Sequence, residues 1–127
     1  MQLIASTPFY SYHIDKMKNR MYVAYKGAWL KPGDVQDFVK HHLEALSQLR
    51  PGFTILADWR EMESVILTDL IEECQKQAIA AGVSKVARVY NEPTFKEVQA
   101  GSISKRTGIT ARRFYDIAEA ESWLDEI

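Results

Sequence analysis

Phe53-Thr54-Ile55-Leu56-Ala57 is the stretch whose reading decides the fold. It is five residues long, almost wholly apolar, and bounded by Arg50-Pro51-Gly52 before it and Asp58 after it. A strand with one wet face alternates apolar and polar residues; this one does not, so it reads as a strand covered on both faces. Such strands sit inside parallel sheets, with helices as the coverings. Helical patterns do flank it. Upstream, Val35, Phe38, Val39, His42, Leu43, Leu46 and Leu49 recur at three- and four-residue steps, one apolar stripe behind Asp34 as an N-cap. Downstream, Asp69 with Glu72 forms a capping-box pattern, and Thr68 is an alternative cap. Leu70, Ile71, Cys74, Ala78 and Ala81 are then the buried face of a second helix, and Gly82 its stop.

Working outward, Tyr10, Tyr12 and Ile14 alternate with Ser11, His13 and Asp15, and Met21-Tyr22-Val23-Ala24-Tyr25 is a second β-rich run. The polar stretch from Asp15 to Arg20 makes these a hairpin. Lys26 to Gly33 then reads as a loop punctuated by glycine and proline. Lys85 to Tyr90 reads as a strand, and Thr94 with Glu97 as the opening of a helix through Phe95 and Val98 that weakens at Gly101. Ala111 to Tyr115 is a last strand. Asp116 with Glu119 opens a terminal helix facing the core through Ile117, Ala120, Trp123, Leu124 and Ile127. The order is ββαβαβαβα, an α/β chain with a mixed sheet of about five strands and four helices. No repeat or linker interrupts it, so residues 1–127 are expected to form a single domain.

Composition narrows the function. The net charge is −1 and the pI about 6.3, which argues against a nucleic-acid binder. A single cysteine excludes a disulfide framework and a thiolate-rich metal site. No apolar run has the ~18 residues of a membrane span, and Met1 to Pro8 lacks the pattern of a signal peptide. A cytoplasmic protein is the expectation. The small net charge is itself a cancellation. Residues 84–113 carry seven basic and two acidic side chains, whereas Phe114 to Ile127 holds five acids and no base. Two solvated faces that neutralise each other, or a partner surface, both fit that pattern.

Chemistry-bearing motifs are sparse. His41 and His42 are adjacent on a helix and point about 100° apart, so they cannot chelate one ion together. His42 reads as a core-edge histidine, His13 has no carboxylate or thiol at ligand spacing, and Cys74 lies on a buried stripe. Neither GxGxxG nor GxxxxGK[ST] occurs, nor a GxSxG elbow or an HExxH helix. Asp58, Glu61 and Glu63 read as loop and cap residues. No metal, cofactor or catalytic set is expected. The informative constellation is positional, because sites in open α/β sheets form outside the carboxyl ends of parallel strands. That rim would carry the loops Gly27 to Gly33 with Trp29, Asp58 to Thr68 with Trp59 and Arg60, and Asn91 to Thr94. Trp29 and Trp59 are either anchors for a protein partner, oriented by Asp58 and Arg60, or covers folded back over the core.

The element order, the strand Phe53 to Asp58 running through Trp59-Arg60-Glu61-Met62 towards a helix, and the ending from Arg113-Phe114-Tyr115-Asp116 to Trp123-Leu124 together resemble the STAS domain. The resemblance is closest to its SpoIIAA-like branch, named for the anti-sigma factor antagonist. It implies a small regulatory or binding module without catalysis. Antagonists of this type bind a kinase or anti-sigma factor near the start of the second helix and are switched by serine phosphorylation in an Asp-Ser-Ser-Gly-like turn. Here the matching stretch is Val65-Ile66-Leu67-Thr68-Asp69-Leu70, so Thr68 is the phospho-acceptor the resemblance implies, with Ile66 and Asp69 departing from the pattern.

Two further readings stand beside a protein partner at Trp29, Asp58, Trp59, Arg60 and Thr68. The branch is also likened to CRAL-TRIO lipid-binding domains, which implies a small apolar ligand under the helices, near Phe38, Leu43 or Leu70. A homodimer through the aromatic hairpin, with Tyr10, Tyr12, Tyr22 and Tyr25, is the other.

Overall fold

A computed structural model describes residues 1–91 and 108–126. The expected helix from Thr94 to Gly101, the bases Lys96, Lys105 and Arg106, and Ile127 lie outside the described residues. The elements are β1 (Gln2–Ser6), β2 (Tyr10–Asp15), β3 (Arg20–Trp29), a 3-10 turn (Pro32–Val35), α1 (Phe38–Leu46), β4 (Thr54–Val65), α2 (Thr68–Ala80), β5 (Lys85–Val89), β6 (Ala111–Phe114) and α3 (Ile117–Asp125). The strands form one sheet in chain order, β1-β2-β3-β4-β5-β6. The β1/β2 and β2/β3 junctions are antiparallel and the next three are parallel. The sheet thus has six strands rather than about five; the addition is β1, an edge strand whose Gln-Leu-Ile-Ala-Ser carries no clear alternation.

The hairpin forms as its alternation demands, with Tyr10 opposite Tyr25 and Asp15 opposite Arg20. Asp15 Oδ1 accepts from Met17 N and Lys18 N at 3.1 Å each, an Asx-type turn. Asn19 closes it at φ 53, a left-handed conformation asparagine tolerates. Its side chain then exchanges hydrogen bonds with the Arg50 backbone at 2.9 and 3.0 Å, tying the hairpin to the entry of β4.

Strands β3 and β4 run further than the sequence reading allows. Gly27, Ala28 and Trp29, and Asp58 to Val65, are strand rather than loop. Past Asp58, β4 has left β5 behind and pairs only with β3, up to Trp29 opposite Val65. Its buried residues there, Trp59, Met62 and Val65, are spaced by three, which no regular strand permits. Register shifts between Ala24 and Lys26 and between Gly27 and Ala28 accommodate that spacing. Gly27 takes φ 68, and a Cβ there would lie 3.7 Å from the Phe9 ring.

The helix starts also differ. Asp34 does not begin α1. Its carboxylate accepts from Leu30 N and Lys31 N at 3.3 Å each, within the 3-10 turn. Leu67, not Thr68 or Asp69, is the N-cap of α2, with no side-chain cap bond. The stop at Gly82 is as expected: at φ 96 it closes a Schellman motif, Val83 N to Ala78 O and Gly82 N to Ile79 O at 3.0 Å each. Asp116 caps α3 by accepting from Ala118 N at 3.1 Å.

Helices α1 and α2 cover one face of the sheet, over the main core of Tyr10, Tyr12, Trp29, Phe38, Trp59 and their neighbours. Helix α3 covers the other face through Ala120 and Leu124, against Leu56, Ala87, Val89 and Phe114. The acidic α3 finds its counter-charges mainly on the hairpin. Buried Arg20 pairs with Glu121, and with Asp125 at 2.9 Å, while donating to Thr54 Oγ1 at 2.8 Å. From the 84–113 segment, Lys85 reaches the end of α3, donating to Trp123 O at 2.7 Å and Glu126 O at 2.8 Å. Cations there also complement the helix dipole.

Candidate functional site

The face of the sheet beneath α1 and α2 is built by alternation. Met21, Val23 and Tyr25 of β3, Ile55, Ala57 and Trp59 of β4, and Val86 and Arg88 of β5 project from it. Helix α2 lays Ile71, Cys74, Gln75 and Ala78 over these side chains, and α1 adds His42. Small residues, Ala57 on the sheet and Cys74 and Ala78 on α2, are among the lining. A cleft of about 40 Å³ remains. A single water needs ~10–15 Å³ of such space, so this one admits only a few heavy atoms. Gln75, Arg88 and Ile109 are half-buried members of its lining.

Besides Tyr25, His42 and Gln75, two polar-bearing residues of the lining stand out. Arg88 is the one formally charged side chain lining it among the described residues. Trp59 is 3% exposed, its ring packed 4.4 Å from Tyr25 and stacked at 6.1 Å on Tyr90. Its indole Nε1–H is sealed from solvent and has no hydrogen-bond partner. Such a buried unsatisfied donor costs ~1–3 kcal/mol and calls for an explanation.

His42 and Cys74 are chemically quiet. His42 Nε2 lies 3.0 Å from the Cys74 carbonyl, which can only accept, so Nε2 carries the proton. Nδ1 then accepts from Tyr12 OH at 3.0 Å. Burial lowers the His42 pKa to about 4, against the opposing pull of the Cys74 carbonyl. Burial pushes the Cys74 thiol up to about 12, with a contribution from Glu73. Among the described residues no cluster of three His, Cys, Asp or Glu is placed to hold a metal ion.

The rim residues part company. Trp29 is fully buried, its Nε1 donating to Phe9 O at 3.0 Å and Lys26 O at 3.1 Å, with its ring 4.7 Å from Phe38. Both Trp29 and Trp59 are therefore covers of the core. Asp58 and Arg60 form a bidentate pair at 2.9 Å on the opposite, solvent side of β4, and Asn91 Nδ2 donates to Arg60 O at 2.9 Å. Thr68 is half-buried in the first turn of α2 and makes no cap bond. Of the four hairpin tyrosines, Tyr10, Tyr12 and Tyr25 are buried in the core and Tyr22 is half-buried.

None of the three positions expected to line a ligand pocket does so. Phe38 is fully buried in the aromatic cluster, Leu43 faces solvent and Leu70 is half-buried. The lining residues come instead from several elements; of the rim candidates Trp29, Asp58, Trp59, Arg60 and Thr68, Trp59 is one of them.

No family model and no curated protein matches the chain. A solved structure does. It is the crystal structure of an uncharacterized protein from the DUF3478 family with a SpoIIAA-like fold, from Shewanella loihica PV-4. It aligns with a TM-score of 0.65 over 94% of this chain and 97% of that one, at 18% identity. The fold is SpoIIAA-like. On this SpoIIAA-like frame the parallel strands β3 to β6 place the cleft under α2, while the Asp58–Arg60 pair lies on the other face of the sheet. No described helix is long and apolar enough to cross a membrane.

Proposed function

We propose that this SpoIIAA-like chain is a binding module for a small, mainly apolar molecule, held between the sheet and helices α1 and α2. The observation that carries the reading is the mainly apolar cleft walled by Trp59, whose buried indole donor has no partner among the described residues. Apolar walls with a few convergent polar groups are the usual composition of a ligand site. The quiet state of His42 and Cys74 supports binding without chemistry. A thiol held near 12 is not a nucleophile at neutral pH, and an imidazole with both nitrogens engaged is not a free base.

Ligand-observed NMR against a mixture of small apolar compounds tests this. Binding is expected for the wild-type protein and is expected to vanish in Ala78→Leu, which fills the cleft. Equal responses from both proteins refute the site.

A second reading is a protein contact at the rim, the role that the resemblance to anti-sigma factor antagonists suggests. It is favoured by Leu30 and Ile66, both exposed, which follow the paired ends of β3 and β4, where Ile66 N donates to Trp29 O at 3.2 Å. On that reading these two replace the tryptophans as anchors, and Arg60, held by Asp58, orients the partner. A photo-crosslinker at position 66 is expected to capture one discrete partner, lost in Arg60→Ala. Capture unchanged by that substitution counts against it.

A further inference from the structure

We infer that a trough on the other face of the sheet, beside α3, is a second site and takes a small neutral polyol; it stands independently of the cleft under α2. Alternation and register build this trough. Ser11 and His13 lie between Tyr10, Tyr12 and Ile14 of the main core, so they project to the α3 side. Ser11 is opposite Ala24, and Ala24 opposite Asp58; in the next row His13 is opposite Tyr22, and Tyr22 opposite Leu56. Leu56 packs under α3, and Ile117 in the first turn of that helix joins the lining. The cavity they enclose is about 110 Å³, more than twice the cleft under α2. At ~10–15 Å³ per water, it has room for roughly seven waters or more.

Ala24 gives the trough its shape. It is the small member of its row, with a polar side chain on the strand to either side. Ser11 and Asp58 are two strands apart, ~10 Å between backbones, and a methyl group leaves the space between them unfilled.

The walls select the ligand. Neither the Ser11 hydroxyl nor the His13 ring has a hydrogen-bond partner among the described residues, and neither is sealed from solvent. A hydroxyl and an imidazole can each donate and accept. Across the trough Asp58 offers acceptors only, and Arg60 already balances its charge in a fork at 2.9 Å. An anion would meet that carboxylate and, among the described lining, no cation to hold it. An ammonium would find its counter-charge already engaged. A neutral hydroxyl can donate to Asp58 and take either role towards Ser11 and His13. Hydroxyls spread along a short chain reach both walls, whereas one amide group reaches only one. Ala24, Leu56 and Ile117 are left to receive the carbon skeleton, the mixed polar and apolar lining usual for small-molecule sites.

The test is a titration of ¹³C,¹⁵N-labelled protein with glycerol, propionamide, propionate and propylammonium, following the ring signals of the three histidines. Glycerol is expected to shift His13 saturably at about millimolar concentration, the range open to so few atoms. His42, bonded at both nitrogens inside the core, is expected to stay and so to report an intact fold. Ala24→Leu, which fills the trough, is expected to abolish the His13 response while the His42 signal is kept. Ser11→Ala should weaken glycerol about threefold to tenfold. If propionamide, propionate or propylammonium binds as tightly as glycerol, the polyol assignment falls. If no compound shifts His13 saturably, or Ala24→Leu leaves the shift unchanged, the site itself falls. Neither result bears on the cleft under α2, which Ala78→Leu tests separately.

Discussion

Acid should weaken this fold through one histidine. His42 is 5% exposed and bonded at both nitrogens, to Tyr12 OH and the Cys74 carbonyl, in a form that needs it neutral. Its pKa falls from an ordinary 6.5 to about 4 in the fold, chiefly by burial. Between those values the unfolded chain holds a proton that the native state does not, so stability rises with pH across the window and falls on acidification. At 1.36 kcal/mol per pH unit, the cost by pH 4 is about 3 kcal/mol, and about 2 kcal/mol is already lost by pH 5. The assay is urea unfolding followed by circular dichroism at pH 7, 6 and 5, for the wild type and His42→Gln. Glutamine can replace the donor to Cys74 O and does not titrate. The expected result is a wild-type loss of about 2 kcal/mol between pH 7 and 5 that the variant lacks. Carboxylates titrate mostly below that range and are common to both proteins. Parallel pH profiles for the two proteins would refute the assignment of the neutral network.

Three other outcomes are expected. Arg20→Met removes the buried partner of Glu121 and Asp125; since both acids retain solvent, the loss should be about 1–3 kcal/mol, with measurable coupling to Glu121→Gln in a double-mutant cycle. Gly82→Ala forces a side chain into φ 96 with Pro51 atoms 3.1 Å from its Cβ, and should lower thermal stability by about 1–3 kcal/mol, whereas Gly33→Ala, in open space, should not. Cys74, with its thiol pushed up to about 12, should react with a disulfide reagent at pH 8 at least a hundredfold more slowly in the native protein than in urea.

Much of the architecture is local and was legible. The apolar run at 53–57, the stripe of α2 with its glycine stop, and the aspartate cap of α3 each follow from periodicity and capping within a few residues. The errors share a cause. Trp59, Met62 and Val65 look like loop because strands have period two, and only bulges in the β3–β4 pairing turn a period of three into one buried side. Thr68 looks like a cap because its hydroxyl sits at the right spacing, yet the chain enters α2 through Leu67.

The site shows the same division. The residue types were present in the sequence, but nothing local says that Ala57, Trp59, Ala78 and Arg88 line one cleft. Nor does it say that Arg20 seeks its acids about a hundred residues away on α3, rather than leaving that helix to the basic strip nearby. The sequence alone determined where strands, helices and stops lie, because those depend on neighbours along the chain. Tertiary structure decided which way each strand's parity falls and what meets across the sheet, because register and bulges are fixed only when distant segments pair. For the two tryptophans that difference is decisive: composition made them candidates for a surface, and strand register put them in the core, one of them with its indole donor unmet.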